Sequence, residues 1–350
     1  MSPNSPENRL PDWLKERGGT SVSSAPPFSN SRPGGAGETT EFLTAPHGAP
    51  ESPPLSLRIG CALVFEAISE TSFLLNVLPQ IERTQVLVEE RFMLGRGMSA
   101  ETVEINHGYR LLRVLVPPGQ TEFRHDALVL TPPTYDIAGI TTAAAVPPGK
   151  LPAEVLRYTL PSRYCESDKL LAFAWETFGH LDAGWPRVRA ICEWVHQNIE
   201  YRFGSGQSDF SALDVFLRRY GVCRDLAHLT IALCRALNTP ARYATGHLPD
   251  IAHPGSGTAM DFHAYAEVYL GGRWFPIDAR HNVPRIGRVK TSHGLDAVDC
   301  AFATNHGQVF LAHVEVWAYQ IEPGTVSLDD PIDLSKRLDG TPELRHRRPS

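Results

Sequence analysis

The stretch that decides the fold is Arg219-Tyr220-Gly221-Val222-Cys223-Arg224-Asp225-Leu226-Ala227-His228-Leu229. We predict a helix from Cys223 to about Leu237, because leucines recur at three- and four-residue steps, at positions 226, 229, 233 and 237. Asn238 is the predicted C-terminal cap. A thiol at such a helix start meets unpaired backbone N–H groups and the positive end of the helix dipole. Both favour the thiolate, which is the nucleophilic form of cysteine.

A β-hairpin is predicted for a second stretch, which runs from Asp261 to Asp278. Two segments of alternating apolar and polar residues flank Gly271-Gly272, a two-residue turn signal. With that turn, Tyr265 lies opposite Asp278, and His263 becomes the diagonal neighbour of Asp278 on the same face. Diagonal neighbours lie about 7–8 Å apart at Cα, a gap that histidine and aspartate side chains can close.

Each of these chemically active residues also has an ordinary structural explanation. Cys223 suits a buried helix start, His263 a sheet interior and Asp278 the cap of a strand end. Pro276 interrupts the ladder, so its strand lies at a sheet edge or carries a bulge that shifts the pairing by one residue. The three together, in this order, favour a Cys-His-Asp triad with Cys223 as nucleophile, His263 as base and Asp278 holding the imidazole.

The two stretches resemble the transglutaminase-like superfamily, whose members use a papain-like Cys-His-Asp arrangement. The resemblance covers about 60 residues: Gly221 to Asp225 and the helix that follows, Arg235 to Tyr243, Asp261 to Ala264, and Trp274 to Asp278. Outside these segments, residues 162–168 and 278–289 are similar to recurrent signatures of bacterial members that carry a β-rich N-terminal region. The resemblance implies the same three roles for Cys223, His263 and Asp278.

Two positions beside the predicted triad depart from the family pattern. Tyr265 stands where many members have tryptophan, and Ala279-Arg280 replaces a Pro-Thr-like pair after Asp278. These departures bear on substrate specificity. Candidate substrate contacts are Tyr265, Trp274, Arg280 and Asn282, although Arg280 and Asn282 equally suit a strand end. Gln207 is a candidate oxyanion donor, with a loop residue as the alternative.

Composition shifts along the 350 residues divide the chain. We predict a disordered tail rich in Pro, Ser and Gly (1–54), a β-rich domain (55–131), a proline-bracketed linker (132–150), a catalytic domain (151–322) and a flexible C-terminal tail (323–350). The fold class is α+β. A papain-like or transglutaminase-like core, with helices packed on an antiparallel sheet, follows an all-β, sandwich-like domain.

Charge and motif content exclude several function classes. The hydrophobic fraction of 42% and the net charge of −6 indicate a soluble protein with no nucleic-acid or membrane partner. No nucleotide-binding motif and no paired metal-ligand spacing is found among the 14 histidines and six cysteines, so no cofactor and no metal is expected. The irregular cysteine spacing and the lack of a signal-peptide core predict a cytoplasmic protein with reduced thiols.

The sequence therefore predicts a bacterial thiol-dependent amide hydrolase (peptidase, amidase or deamidase) that forms an acyl-enzyme on protein or peptide substrates. One alternative is a transglutaminase, in which a lysine amine replaces water as acyl acceptor. Another is a non-catalytic protein-binding module on the same fold. The lack of a calcium-loop signature favours hydrolysis over metal-gated cross-linking.

Overall fold

The computed structural model describes residues 53–82, 84–95, 98–105, 109–254 and 260–340. The predicted N-terminal tail lies outside the described residues except for positions 53 and 54, as do the last ten residues of the predicted C-terminal tail. Within the described part, no helix is long and apolar enough to cross a membrane.

Strands alone form the first part of the described chain. They are β1 (Leu55–Ala67), β2 (Thr71–Leu75), β3 (Val86–Leu94), β4 (Ala100–Ile105), β5 (Tyr109–Val116) and β6 (Gly119–Thr131). Strands β2 and β4 are the shortest of the six, with five and six residues. The linker that follows contains two short 3-10 turns, at Ile140–Thr142 and Pro148–Lys150.

Helices dominate the next part of the chain. They are α1 (Ala153–Leu156), α2 (Leu171–Phe178), α3 (Trp185–Asn198), α4 (Ala212–Arg218) and α5 (Cys223–Ala236). Two short parallel strands, β7 (Glu200–Tyr201) and β8 (Tyr220–Gly221), lie among them. Pro186 lies in the first turn of α3, and Ser211 and Asp214 form a capping box at the start of α4. No side chain caps the start of α2.

Strands return after α5. They are β9 (Ala241–His247), β10 (His263–Leu270), β11 (Arg273–Ile277), β12 (Val289–Gly294), then the short helix α6 (Ala297–Cys300), and finally β13 (Ala303–His306) and β14 (Val309–Ile321). One four-stranded sheet has the order β11-β10-β9-β12, and its buried face packs on α5. Helices on an antiparallel sheet beside a β-rich region confirm the α+β class.

Two further four-stranded sheets make up the β-rich region, with orders β14-β1-β6-β3 and β13-β2-β5-β4. They share an apolar core in which the rings of Phe65, Phe73 and Phe123 pack at 4.9–5.9 Å between centroids. Strand β14, which the sequence boundaries assign to the catalytic domain, pairs along β1 from Ser56 to Ala67 instead. The reason is that β6 pairs with only one edge of β1. The backbone N–H and C=O groups along the other edge need a second antiparallel strand.

The segment after β14 is also built into the fold, contrary to the predicted flexible tail. The carboxylate of Asp339, which is 3% exposed, accepts hydrogen bonds from the backbone N–H groups of Gln320 and Asp250 and from Arg337. Val326 and Leu328 are buried. These polar and apolar contacts hold residues 323–340 against the β-rich region.

Candidate active site

The cysteine of the site lies at the first residue of α5. The preceding residue, Val222, is extended, and its N–H donates to Oδ2 of Asp225 at 3.0 Å. Gly221 is required here because a Cβ at that position would lie 2.6 Å from the Cβ of Asp225. The Gly-Val loop and the helix therefore deliver Cys223 to a partly exposed position at the helix N-terminus, as the periodicity predicts.

The hairpin forms with the predicted register. Leu270 pairs with Arg273 across the Gly271-Gly272 turn, and Pro276 lies in β11, the edge strand of its sheet. His263 begins β10 and Asp278 follows β11. Nε2 of His263 donates to Oδ2 of Asp278 at 2.6 Å, and both side chains are buried.

His263 lies between the carboxylate of Asp278 and the thiol of Cys223. Since Nε2 is bound to Asp278, Nδ1 is the nitrogen left for proton transfer, and it has no hydrogen-bond partner of standard geometry among the described residues. Burial alone would lower the pKa of His263, but the charge and hydrogen bond of Asp278 and the proximity of Cys223 raise it. Burial opposes ionisation of Asp278 too, yet His263 and Arg288 hold its pKa well below the usual range.

The same surroundings favour the thiolate of Cys223. Burial by itself would raise the pKa of this thiol, but His263, the backbone N–H of Ala264 and the charge of Arg280 hold it below its ordinary value. The five other cysteines are buried, and burial raises the pKa of each thiol, to about 12 for Cys61, Cys165 and Cys234. Cys223 is therefore electrostatically distinct from every other cysteine of the chain.

An arginine that the sequence did not single out also contacts the carboxylate. Nη2 of Arg288 lies 3.3 Å from Oδ2 of Asp278, and Nε of Arg288 donates to Oδ2 of Asp136 at 3.0 Å. Asp136, in the linker, is itself held by the N–H of Arg285. The Arg288 side chain is 7% exposed. No periodicity marks Arg288, which lies on a loop ten residues after Asp278, although it falls within the 278–289 segment that resembles a recurrent signature.

The remaining candidates lie at different distances from this centre. Arg280 lies over the ring of Tyr201 and lines the same cleft as His263. The carbonyl of Gln207 accepts from Arg224, beside Cys223, whereas its side chain is exposed and has no hydrogen bond to a described residue. The loop of Gln207 thus lies at the helix start, but the structure does not bring its amide to the thiol.

The other three predicted substrate contacts do not line the cleft of His263, although the ring of Tyr265 stacks on that of His263 at 6.3 Å between centroids. Tyr265 is 2% exposed and lies under the guanidinium of Arg288. Trp274 packs beneath Arg242, and both aromatic residues line a separate cavity of about 520 Å³. Asn282 has φ 51° in the turn after Asp278, and its Oδ1 accepts from the thiol of Cys192. Their role in substrate binding stays a prediction.

A cleft of about 70 Å³ opens beside the histidine. Its lining includes Tyr201, Asp261, His263, Arg280 and His281. The imidazole of His281 lies 5.2 Å from that of His263, measured between ring centroids. Among the described residues, His263, Asp278 and His281 are the one group of three whose ligand atoms lie close enough to hold a metal ion.

A cysteine at a helix start faces a histidine and a carboxylate on an antiparallel sheet. This arrangement is typical of cysteine-dependent enzymes. Residues 173–279 match the family model described as the transglutaminase-like superfamily. That segment contains Cys223, His263 and Asp278.

A solved structure extends the similarity over most of the chain. It is that of a candidate cysteine protease from Cytophaga hutchinsonii, with 34% sequence identity and a TM-score of 0.70, and the alignment covers 77% of this chain and 92% of that one. The chain therefore belongs to the transglutaminase-like superfamily. The β-rich region is part of this likeness, since the alignment extends well beyond residues 173–279.

Curated relatives match over shorter segments. An uncharacterized protein of Mycobacterium leprae is 32% identical over 89 residues, which are 25% of this chain and 32% of the relative. An uncharacterized protein of Mycobacterium tuberculosis strain H37Rv is 33% identical over 85 residues, 23% of this chain and 27% of the relative. The matched segment spans about a third or less of the length of these relatives.

Proposed function

We propose that this chain is a thiol-dependent amide hydrolase that acts through a Cys223–His263–Asp278 triad and an acyl-enzyme. The observation that carries the proposal is the 2.6 Å hydrogen bond from Nε2 of His263 to Asp278. This bond leaves Nδ1 of His263 without a partner among the described residues, beside the Cys223 thiol, whose pKa is lowered. A buried carboxylate that fixes the imidazole and an activated thiol are the two requirements of this chemistry.

The reaction starts from the thiolate–imidazolium pair of Cys223 and His263. The thiolate attacks the amide carbonyl, and the tetrahedral oxyanion accepts a hydrogen bond from the backbone N–H of Cys223, which has no intrahelical acceptor at the helix start. As the C–N bond breaks, His263 gives its proton to the leaving amine or ammonia. A water molecule, deprotonated by His263, then attacks the thioester and releases the acid and the free thiol.

Water is the proposed acyl acceptor, and protein or peptide amides are the proposed substrates. The Cytophaga protein, with its likeness to cysteine proteases, supports hydrolysis over amine transfer. Asp261 and Arg280 flank His263 in the cleft and provide opposite charges for a polar peptide backbone or side chain.

The decisive experiment is the rate of iodoacetamide alkylation of Cys223 as a function of pH, followed by peptide mass spectrometry. The wild type is expected to react well below the free-thiol pKa of about 8.5, and His263→Ala is expected to shift the curve upward. His253→Ala is the matched control, because His253 lines the same cleft without contacting Asp278. An ordinary thiol curve that is indifferent to His263 would contradict the proposal and favour a binding module.

The acyl acceptor is tested separately with glutamine-containing peptides and casein. Wild-type protein incubated with a fluorescent primary amine is expected to release acid or ammonia without incorporating the amine, and Cys223→Ser is expected to be inactive. Incorporation of the amine in preference to hydrolysis would assign the chain to the transglutaminases instead.

A further inference from the structure

The cleft holds a histidine that the proposed triad does not use. His281 follows Asp278 by three residues, and its backbone N–H points to Oδ1 of Asp278 at 3.4 Å. One nitrogen of His281, one nitrogen of His263 and one carboxylate oxygen of Asp278 all lie within 4.8 Å of one another. His263 and Asp278 are buried, and His281 is partly exposed to the cleft.

These three ligands, two imidazoles and one carboxylate, suit zinc. Zinc binds imidazole nitrogen and carboxylate oxygen at about 2.0–2.2 Å, so two ligands of a tetrahedral site lie about 3.4 Å apart. Atoms within 4.8 Å of one another differ from that spacing by no more than about 1.4 Å, a change on the scale of side-chain rotation. A site with three protein ligands leaves a fourth position open, which solvent fills.

We propose that His263, Asp278 and His281 form a reversible zinc-binding site, and that zinc bound there switches the triad off. The ion takes one ring nitrogen of His263 and one carboxylate oxygen of Asp278, the two side chains joined by the 2.6 Å hydrogen bond, and any proton on that nitrogen is released to solvent. An imidazole coordinated to a metal can neither accept the thiol proton nor protonate a leaving amine. The inhibitory part rests on the proposed function, whereas the binding part rests on the ligand geometry alone.

The surrounding charges make this a regulatory site rather than a permanent one. Arg288 lies 3.3 Å from Oδ2 of Asp278, and Arg280 and Arg285 line the same cleft. These cations oppose a divalent ion, so binding is weaker than at structural zinc sites. Zinc chelators are therefore expected to restore the free site.

The test uses the full chain and zinc chloride at neutral pH, with isothermal titration calorimetry as the readout of binding. Wild-type protein is expected to bind one zinc ion at this site. His281→Gln is expected to weaken binding at least tenfold, because changes even to outer-shell partners of a metal ligand cost about 10–100-fold. His253→Gln is the matched control: its ring lies 5.6 Å from that of His281, but it is outside the three-residue group.

Cys223→Ser separates this site from a thiolate site. The proposal expects Cys223→Ser to keep most of the zinc affinity, and abolished binding would overturn it. Wild-type affinity in His281→Gln, equal losses in His281→Gln and His253→Gln, or no binding by the wild type would each overturn it as well.

Inhibition is measured as the ratio of Cys223 alkylation rates with and without zinc, each variant compared with itself. Zinc is expected to slow alkylation in the wild type and to lose that effect in His281→Gln. If alkylation without zinc follows an ordinary thiol curve, the proposed function fails while the calorimetric result on the site still stands.

Discussion

Nη2 of Arg288 lies 3.3 Å from Oδ2 of Asp278, the same oxygen that accepts the 2.6 Å hydrogen bond of His263. One carboxylate oxygen therefore connects an imidazole to a buried guanidinium that is anchored on Asp136. Arg288 helps to keep Asp278 ionised. A positive charge on the same carboxylate oxygen as the imidazole also opposes the imidazolium form of His263.

Replacing Arg288 by leucine is expected to raise the pKa of His263, because a cation on the shared carboxylate no longer opposes protonation of the ring. The measurement is an NMR titration of the His263 ring nitrogens. Turnover is expected to fall as well, since the carboxylate loses a partner that holds it in place.

Arg288→Lys provides the control for charge. It retains the positive charge, so the His263 pKa is expected to stay near the wild-type value while turnover falls, because lysine does not offer the planar donor pair of arginine. A His263 titration curve that is identical in wild type and Arg288→Leu would show that Arg288 only supports the fold.

Asp278→Asn tests the carboxylate itself. The substitution keeps the shape but removes the charge that raises the His263 pKa, so that pKa is expected to fall and Cys223 alkylation near pH 6 to slow. Turnover is expected to drop by about 10⁴-fold, the scale found when a triad aspartate becomes asparagine.

The matched variant for Asp278→Asn is Asp250→Asn. Asp250 lines the same cleft but pairs with Arg285 and Arg337 rather than with the triad. It is expected to leave the pH dependence of alkylation in place. A shift of equal size in both variants would mean that the general charge of the cleft, and not the His263–Asp278 pair, activates the thiol.

Gly221→Ala tests how the cysteine is placed. The added Cβ would lie 2.6 Å from the Cβ of Asp225, whose carboxylate receives the N–H of Val222. We expect a loss of about 1–3 kcal/mol in the free energy of unfolding, as for overpacking of a tight site. Chemical denaturation measures it, and Cys223 alkylation is expected to slow because the helix start shifts.

Gly149→Ala is the control for Gly221→Ala. A Cβ at Gly149 meets no atom within 4 Å, so its effect is expected to stay within about 0.5 kcal/mol. Equal free energies of unfolding for the Gly221 and Gly149 variants would show that the loop before Cys223 accommodates the added methyl group without loss of stability.

Local signals were enough to predict the centre of the site. The helix after Cys223 follows from its leucine spacing, and the contact of His263 with Asp278 follows from a two-residue turn and strand alternation. Both inferences depend on residues less than twenty positions apart. Over such distances, backbone geometry alone fixes which side chains share a face.

Long-range pairing was not predictable in the same way. Strand β14 has the composition of any half-buried strand, and nothing in it identifies β1, some 250 residues earlier, as its partner. The contacts of Arg288 with Asp136 and Asp278 likewise arise where the linker meets the loop before β12. A single arginine in a polar loop gives no periodic signal, so its place beside the triad appears only in the folded chain.

His247, the last residue of β9, makes stability depend on pH. It is buried, and neither ring nitrogen has a hydrogen-bond partner among the described residues. Burial, aided by the nearby His125, lowers the pKa of His247 to about 3, against about 6.5 in an unfolded chain. Between these values the folded state binds fewer protons than the unfolded state, so stability falls as the pH drops through this window.

The expected loss from His247 is about 2 kcal/mol in the free energy of unfolding between pH 7.5 and pH 5. His247→Leu is therefore expected to take up about one proton fewer than the wild type on unfolding. Its free energy of unfolding, measured by urea denaturation, then depends less on pH. His306→Gln is the control, because His306 is exposed. If His247→Leu and wild type lose stability equally on acidification, then His247 takes up its proton within the fold, and the acid sensitivity belongs to other buried groups.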